Sequence, residues 1–227
     1  MASRTIENYL KQIYLSRPAD TTQWLTMGKL SSAVGVTPGT ATSMVRAISD
    51  ARLVEYEPRA GVRLTSTGEQ LALHVLRRHR LIELLLVQVL GLDWSEVHEE
   101  AEELEHVVSD RLLARIDEVL QHPAFDPHGD PIPTAGGVVR PQDGGTLLDC
   151  PVGSAIRIAR ILDQSPEFLQ YVNQCGLLPG ADIRVISRNH QAQTVELTAI
   201  KSSKNTVAAI SFAVAEKFLV QPHDRNK

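Results

Sequence analysis

The sequence predicts a mainly α protein with some β structure: an N-terminal winged helix-turn-helix, a second helical domain and a C-terminal SH3-like β-barrel. Three short helical patterns followed by two short strands predict the winged helix. A long apolar helix and an acidic helix come next, and a stretch rich in Pro and Gly separates them from a strand-rich segment. Apolar residues make up 43% of the 227 residues and charged residues 22%, which is typical of a globular chain.

The N-terminal region contains the elements of a winged helix in the right order. Apolar residues at helical spacing predict a first helix over residues 4–16. Helices over residues 26–33 and 37–51 follow, because each starts with a Thr suited to the N-cap and the third has Pro at its first helical position. Two short strands over residues 53–57 and 61–64 predict a β-hairpin, the wing.

The rest of the chain is predicted to change from helices to strands. A helix over residues 65–90 is apolar nearly all round in its second half, so we expect it to be buried on several sides, partly by another subunit. A single further helix is predicted over residues 95–120, and residues 121–146 form a loop or linker. The last segment is predicted to hold strands over residues 155–161, 183–187, 194–200 and 206–211 and a short helix over 165–175.

The composition excludes several classes of protein. The longest apolar stretch, residues 81–90, is about half of a bilayer span and contains Glu83, so we expect no transmembrane helix. The N-terminus lacks an unbroken apolar run and is not expected to be a signal peptide. Cys150 and Cys175 are too few for a disulfide framework, and we expect a reducing, cytoplasmic setting. The net charge of −4 is uneven, since residues 73–130 carry 5 basic and 13 acidic side chains.

The third predicted helix has the features of a DNA-recognition helix, which enters the major groove with its N-terminal residues. Small, hydroxyl-rich side chains there suit contacts with phosphates and thymine methyl groups, and basic side chains follow on the helix and the wing. A similar module that only mediates protein contacts is the alternative. The predicted DNA-binding residues are Thr37, Pro38, Gly39, Thr40, Thr42, Ser43, Arg46, Arg59 and Arg63.

A row of His and Glu side chains marks the two helices that follow the wing. Residues four apart on a helix face the same side, so two adjoining helices with such rows can surround a divalent ion. A solvated acidic helix that yields these spacings by chance is the alternative. The residues of the row are His79, Glu83, His98, Glu102, Glu105 and His106.

Several motifs make the sequence similar to the diphtheria toxin repressor and manganese transport regulator family. They are IENYL at residues 6–10, HRL at 79–81, GLD at 91–93, VHEEAE at 97–102, EHVVSD at 105–110 and GDPIP at 129–133. The likeness covers residues 1–135 well and the C-terminal part weakly. It implies a homodimeric, metal-dependent repressor of metal-uptake genes that binds a palindromic double-stranded DNA operator.

The resemblance also implies a division into domains. Residues 1–70 would be the winged helix-turn-helix DNA-binding domain and residues 71–135 the helical metal-binding and dimerisation domain. Residues 136–146 would be a linker, and residues 147–222 the SH3-like domain.

The resemblance implies two metal sites. One consists of His79, Glu83 and His98, with a further ligand from the SH3-like domain that Asp163, Gln164 or Glu167 would supply. The other consists of Asn8, Glu102, Glu105 and His106. The iron-sensing branch has Met and Cys at the positions of Asn8 and Glu102, whereas the manganese branch has Asp and Glu there. The manganese branch also has a Glu where this chain has Lys11, which argues against a two-ion cluster of that kind.

The ligand types favour Mn²⁺ and leave Fe²⁺ open. Glu102 replaces a thiolate and so removes the soft ligand that later transition metals prefer. Carboxylate, amide oxygen and imidazole suit Mn²⁺, and they suit Fe²⁺ nearly as well.

Three other functions are alternatives to a metal-dependent repressor. A metallohydrolase is disfavoured because no HExxH-type motif is present, and we expect no enzymatic activity. A transcription factor that senses a small organic ligand remains an alternative, with the C-terminal domain as its pocket. A peptide-binding adaptor is disfavoured because the few aromatic residues of that domain have core-like spacings.

Overall fold

The structure is a computed structural model that describes residues 3–18, 20, 22–142, 144–200 and 207–223. In this part of the chain, no helix is both long and apolar enough to cross a membrane. The chain divides into two compact units. The first consists of Met1–His79, Glu102–Leu113 and Pro133–Val139, and the second of Arg80–Ala101, Ala114–Ile132 and Arg140–Lys227.

The N-terminal part of the first unit is a winged helix, with its elements close to the predicted bounds. Ser3, Thr26 and Thr37 each accept a backbone hydrogen bond at the start of a helix, as N-caps do. Gly35, in the turn before the third helix, has a φ of +68°, which glycine adopts without strain. The elements are α1 (Arg4–Ser16), α2 (Met27–Ala33), α3 (Pro38–Asp50), β1 (Val54–Glu57) and β2 (Gly61–Leu64).

The three helices of the winged helix share one aliphatic core. Leu10 and Ile13 of α1, Leu30 of α2, and Val45 and Ile48 of α3 are all buried in it. These residues recur every three or four positions along their helices, which is the spacing from which the helices were predicted. The recognition helix α3 is therefore held by its apolar face, and its N-terminal end is exposed.

The wing is fixed to the chain segment that precedes α2. β1 pairs antiparallel with β2, and Leu25 and Val62 exchange two backbone hydrogen bonds of 2.9 Å. Gly61 has a φ of +132°, and a Cβ atom there would lie 2.1 Å from the carbonyl oxygen of Leu25. Only glycine fits this close approach of two backbones.

The prediction of one helix over residues 95–120 is wrong, because the chain forms two helices there. Ser109 starts the second one: its hydroxyl oxygen accepts a hydrogen bond from the backbone N–H of Leu112 (3.3 Å). Glu105 and His106 therefore lie in the turn between two helices and not on the helical face that carries His98. The helices of this region are α4 (Ser66–Gln88), α5 (Val97–Leu104) and α6 (Asp110–Val119).

The end of α4 and the residues after it carry exposed apolar side chains. Leu81, Ile82 and Leu84 are buried, as predicted for the second half of this helix. Val89 and Leu90, beyond the last helical residue, are 52% and 61% exposed. The predicted burial of the whole helix therefore does not extend to its C-terminal end within one chain.

The C-terminal part of the second unit is an antiparallel six-stranded sheet with the strand order β3-β8-β4-β5-β6-β7. The predicted strands and short helix are present, but the sequence patterns did not indicate β3, α8 or β8. The predicted start of the fourth strand, Thr206, lies outside the described residues. The elements are β3 (Gly145–Thr146), a 3₁₀ turn (Leu147–Asp149), β4 (Ala155–Ile161), α7 (Pro166–Cys175), β5 (Asp182–Asn189), β6 (Thr194–Ala199), β7 (Val207–Ser211), α8 (Phe212–Ala215) and β8 (Phe218–Pro222).

The sheet does not close into a barrel within the described residues, since no pairing there joins β3 to β7. Its strands are nevertheless irregular. The pairing of β4 with β8 shifts register between Ile158 and Arg160, and the pairing of β5 with β6 shifts between Val185 and Ser187. Such irregularities bend and twist a sheet.

A partly buried ion pair connects two strands of this sheet with the segment that follows β8. The Asp182 carboxylate accepts hydrogen bonds from Nε and Nη2 of Arg157 (2.7 and 3.1 Å) and lies 3.0 Å from Nδ1 of His223. The Arg157 hydrogen bond is the main reason why the pKa of Asp182 lies well below its usual range. His223 lowers this pKa further, and burial of the carboxyl group opposes both.

We expect Asp182→Asn to destabilise the C-terminal sheet by about 1–2 kcal/mol at pH 7, because it removes charge-assisted hydrogen bonds to a half-exposed arginine. The folded-state pKa is lowered, so the contribution is complete above the unfolded value of about 3.9 and is lost as the pH falls towards the folded value. Urea unfolding at pH 7 and pH 3 measures this. Asp50→Asn, the same change at an exposed helix end, is the control. An equal difference between wild type and Asp182→Asn at both pH values would contradict the assignment.

Candidate metal-binding and nucleic-acid-binding sites

Four predicted ligands, His79, Glu102, Glu105 and His106, meet in the first unit, and a fifth, Asn8, lines the same cavity as Glu102. We call these five residues the carboxylate–imidazole cluster. Asn8 comes from α1, His79 from α4 and Glu102 from the last turn of α5, and the other two come from the turn that follows. His79, Glu102 and Glu105 each offer a ligand atom, and these atoms lie within 4.8 Å of one another. Side chains far apart in sequence thus converge on one point.

Glu105 lies at the centre of this cluster and is fully buried. Its Oε2 lies 2.7 Å from Nδ1 of His79, and its Oε1 lies 3.3 Å from Nε2 of His106. Nδ1 of His106 lies 2.6 Å from Oε2 of Glu7. Because an ionised carboxylate only accepts hydrogen bonds, Nδ1 of His106 is the donor. In the neutral ring, Nε2 then keeps its lone pair free for a cation, and Glu7 fixes the orientation of the ring.

Two buried atoms of the cluster lack hydrogen bonds. They are Oδ1 of Asn8 and Nε2 of His106, and neither has a hydrogen-bond partner in the part of the chain that the structure describes. Buried polar atoms nearly always have a partner, so an exception needs an explanation. An amide oxygen, carboxylates and imidazoles together form a donor set that suits a divalent cation. The residues of the cluster therefore fit a metal ion.

Lys11 also enters this cluster. Its side chain is only 2% exposed, and its Nζ lies 2.6 Å from Oε1 of Glu102 and 2.6 Å from Oε1 of Glu105. A buried charge is tolerated only when it is paired, and these two carboxylates provide the pairing. The cluster thus contains a positive charge of its own.

A second cluster lies in the second unit, and we call it the buried acid–histidine cluster: Glu83, His98, Asp126 and His128. Glu83, Asp126 and His128 each offer one ligand atom, and these atoms lie within 4.8 Å of one another. All three side chains are buried. Oε1 of Glu83 lies 3.3 Å from Nδ1 of His98, whose side chain is half-exposed. Glu83 and His98, which are two predicted ligands, are thus in contact.

His128 presents a free nitrogen to this cluster. Its Nε2 lies 3.0 Å from the backbone carbonyl oxygen of Trp94, which only accepts hydrogen bonds, so Nε2 carries the proton. The ring stacks on the Trp94 indole at a centroid distance of 5.4 Å. Nδ1 is buried, has no hydrogen-bond partner among the described residues and lies 3.8 Å from Oε2 of Glu83. The second cluster therefore also fits a cation.

Asp126 experiences an excess of negative charge. Burial is the main reason why its pKa lies well above the usual range, and the carboxylates of Asp130 and Glu83 raise it further. Arg80 opposes this: its Nε lies 3.5 Å from Asp126, and its Nη2 lies 2.9 Å from Asp130. Asp130 also pairs with Arg160 at 2.5 Å. Arg80 and Arg160 thus pair mainly with Asp130. A cation beside Asp126 and Glu83 would balance the negative charge of these two side chains.

The three candidate ligands from the third domain have different surroundings. Asp163 pairs with Nζ of Lys217 (2.6 Å), and Glu167 is exposed. Nε2 of Gln164 donates to Oδ2 of Asp130 (2.7 Å), whose backbone N–H in turn donates to Asp126. Of the three, Gln164 is therefore connected to the buried acid–histidine cluster through hydrogen bonds.

The sequence did not indicate three residues of these clusters. Glu7 orients His106 across 99 positions of sequence, a contact that no local pattern predicts. Asp126 and His128 lie in the stretch that was predicted as a loop or linker. The spacing of Asp126, Pro127 and His128 was a usable signal, because two ligand types stand two residues apart beside a rigid proline.

The predicted DNA-binding residues lie at the exposed start of α3 and on the wing. Thr37 to Thr40, Ser43 and Arg46 are exposed, and Thr42 is half-buried. The hydroxyl groups of Thr42 and Ser43 donate to backbone carbonyl oxygens one turn earlier, at 2.8 and 3.1 Å.

The two arginines of the wing differ in how they are held. Arg59, at the turn of the hairpin, is exposed and has a φ of +76°. Arg63 pairs with Glu55 at 2.6 Å and lies over the Trp24 ring, 4.6 Å from its centroid. Among the described residues, the Arg59 side chain has no ion pair of this kind, whereas Arg63 is held against the wing.

Three family models match the chain in the order of its parts. The N-terminal DNA binding domain of iron dependent repressors matches residues 1–62, and their metal binding and dimerisation domain matches residues 65–134. The FeoA domain matches residues 145–222. These matches agree with an N-terminal helix-turn-helix domain, a helical dimerisation domain and a C-terminal β domain.

Individual proteins show the same likeness. The diphtheria toxin repressor of Corynebacterium glutamicum is 33% identical over 161 residues, covering 64% of this chain and 71% of that protein. The iron-dependent repressor IdeR of Mycobacterium tuberculosis is 31% identical over 195 residues, covering 80% and 83%. A solved manganese-dependent transcriptional repressor in complex with manganese is 36% identical, with a TM-score of 0.83 and coverage of 96% and 100%. The predicted resemblance is confirmed, and the chain belongs to the diphtheria toxin repressor family of metal-dependent, DNA-binding transcriptional repressors, which are not enzymes.

Proposed function

We propose that this protein is a Mn²⁺-dependent repressor that binds a palindromic operator as a homodimer and controls metal-uptake genes. One observation carries the proposal: Oδ1 of Asn8 and Nε2 of His106 are buried without hydrogen-bond partners among the described residues, and Nε2 of His106 lies 3.3 Å from Glu105. A cation bound at either atom would supply its missing partner. An Fe²⁺-dependent repressor is the second candidate, because the IdeR relatives are named as iron-dependent.

The proposed ligands fall into two groups. Asn8, Glu102, Glu105 and His106 would hold one ion, and His79 is supported as a neighbour by its contact with Glu105. Glu83 and His98 are supported as ligands by their contact with each other and by the neighbouring Asp126 and His128. The further ligands proposed from the third domain are Asp163, Gln164 and Glu167.

The proposed role of the ion is to join parts of the chain. α1 belongs to the winged helix, and Glu102 to His106 continue from α5. A bound divalent ion supplies a strong link between these side chains. In a homodimer this link would fix the spacing of the two recognition helices, so that they match half-sites about one helical turn apart. Coupling of this kind between metal and DNA is typically about 1–3 kcal/mol.

The proposed DNA interface uses the exposed start of α3 for the major groove and the basic residues for phosphates. Thr37, Pro38, Gly39 and Thr40 would approach the base edges together with Thr42 and Ser43. Arg46, Arg59 and Arg63 would contact the backbone. The exposure of Arg46 and Arg59 supports this assignment.

The proposal also covers assembly and location. We propose domains over residues 1–70, 71–135 and 147–222 with a linker at 136–146. The exposed Val89 and Leu90 support burial by a second copy of the chain. The register shifts in β4 and β5 support a curved sheet of the SH3-like barrel class. Two free cysteines, both half-buried, are consistent with a cytoplasmic setting.

Metal dependence is the first test. We expect the protein with Mn²⁺ to bind its promoter DNA about 5–150-fold more tightly than the chelated protein, the range that corresponds to typical coupling energies. Fluorescence anisotropy at constant ionic strength measures the two affinities. Mg²⁺ at the same concentration is the control, and Fe²⁺ under anaerobic conditions compares the two candidate metals. Equal affinity before and after chelation, or activation by an organic effector alone, would refute the proposal.

A second prediction concerns the choice of metal. Glu102→Cys introduces a soft thiolate, so we expect the metal preference to shift by about tenfold or more from Mn²⁺ towards Fe²⁺ or Co²⁺. The ratio of the activation midpoints in a DNA-binding assay measures it. Glu103→Cys, one residue further along α5 and exposed, is the matched control. An unchanged ratio in Glu102→Cys would remove Glu102 from the ligand set.

A third prediction concerns the connection to α1. Asn8→Ala removes one ligand that belongs to the winged helix, so we expect weaker metal-dependent DNA binding, by about tenfold, with the dimer intact. Titration of DNA binding with Mn²⁺ and sedimentation of the dimer measure the two properties. Gln12→Ala, one turn later on α1, is the control. A full metal response in Asn8→Ala would contradict the proposed link through α1.

A further inference from the structure

Lys11 is an unusual residue at the inner face of a helix. It is among the largest fully buried side chains of the described residues, and the others among them are apolar. It follows Asn8 by three positions on α1, so the two residues share a helix face. Lysine is almost never fully buried unless it is paired. The question is what this ammonium group does in a cluster that otherwise fits a metal ion.

The ammonium group lies where a bridging cation would bind. Its Nζ is 2.6 Å from an oxygen of Glu102 and 2.6 Å from an oxygen of Glu105. A metal ion that bridged these two oxygens would need the same space between them. A divalent ion and an ammonium group would also repel each other strongly at such short distance in a buried site. One pair of oxygens therefore accepts one cation or the other.

The charges of the cluster lead to the same conclusion. Glu7, Glu102 and Glu105 contribute three negative charges, and Lys11 contributes one positive charge. With neutral histidines the sum is −2, which a single divalent ion balances. Without the lysine the sum would be −3, and one divalent ion would leave an excess negative charge.

One side of the cluster borders a cavity. A cavity of about 410 Å³ is lined by residues of α1 and of the segment after α2, and Asn8, Lys11 and Glu102 contribute to its wall. Solvent in this cavity therefore lies beside three residues of the cluster.

We propose that Lys11 is a built-in second cation of the carboxylate–imidazole cluster. Its ammonium group neutralises Glu102 and Glu105 in the metal-free chain, limits the cluster to one divalent ion, and lowers the affinity for that ion by charge repulsion. Lys11 thereby sets the metal concentration at which the cluster fills. This inference rests on the proposed function, since it assumes that the cluster binds a metal ion.

The test counts ions and measures affinity in the full-length chain, with Mn²⁺ itself as the probe. Lys11→Met removes the charge at similar length, and Lys11→Glu adds a carboxylate. Arg17→Met is the matched control, because Arg17 follows the last residue of the same helix and pairs with Glu69, which is not part of the cluster. Equilibrium dialysis and electron paramagnetic resonance give the number of bound ions, and calorimetry gives the affinity.

We expect Lys11→Met to bind Mn²⁺ at least tenfold more tightly than wild type, and Lys11→Glu to bind one more ion per chain. Arg17→Met should change the affinity by less than about threefold and leave the ion count unchanged. In the absence of metal, Lys11→Met should melt at a lower temperature than wild type, because two carboxylates lose their counter-charge, and Mn²⁺ should remove this difference. If this variant does not fold without metal, recovery of its circular dichroism signal on adding Mn²⁺ supports the proposal.

The opposite results would overturn the proposal. They are wild-type or weaker Mn²⁺ affinity in folded Lys11→Met, no additional ion in Lys11→Glu, or no recovery of unfolded Lys11→Met by Mn²⁺. Failure of the proposed function gives a different result. If His106→Ala binds as many Mn²⁺ ions as wild type, with the same affinities, the cluster is not a metal site and the proposed function fails first.

Discussion

The neutralisation of one buried carboxylate, Glu105, determines much of the first unit. The carboxylate is fully buried, and Lys11, His79 and His106 all lie within hydrogen-bonding or ion-pairing distance of it. These partners come from α1, from α4 and from the turn that contains Glu105 itself. An unpaired carboxylate in such a place would be very costly, so these contacts help to hold the three segments together. The winged helix is connected to the turn after α5 through this charge.

The polar atoms around the Glu105 carboxylate are of two kinds: those with a partner among the described residues and those without one. Lys11 satisfies one oxygen of each carboxylate, whereas Oδ1 of Asn8 and Nε2 of His106 are left without hydrogen bonds among the described residues. The first kind stabilises the folded chain on its own. The second kind costs free energy, and in the proposed function a bound cation would offset that cost. Stability and regulation would then both depend on this cluster.

Most of the fold was predictable where the determinants are local. The helices of the winged helix were predicted within one or two residues, because Thr26, Thr37 and Pro38 act on their own helix starts. The break between α5 and α6 was not predicted, because the apolar periodicity continues through it and masks the cap at Ser109. β8 was missed as well. It is five residues long and is defined by its pairing with β4, which a one-dimensional pattern does not contain.

The candidate site was predictable in its residue types but only partly in its grouping. The resemblance placed His79 with Glu83 and His98, and the structure adds a contact of His79 with Glu105. The helical spacing also predicted that Glu105 and His106 share one helix face with His98. This prediction is wrong, because α5 ends at Leu104. Glu7, Asp126 and His128 were missed because their roles depend on contacts between distant segments. The ligand assignments and the domain boundaries remain predictions.

The side-chain bonds at the start of α3 have a consequence for how this family member distinguishes operators. The hydroxyl protons of Thr42 and Ser43 are already donated to the helix backbone, so only their lone pairs and the threonine methyl group face outwards. Such a surface distinguishes bases by shape and methyl contacts more than by donated hydrogen bonds. In the proposed operator complex, the spacing of the two half-sites would then contribute more to selectivity than the individual bases beside Thr42 and Ser43.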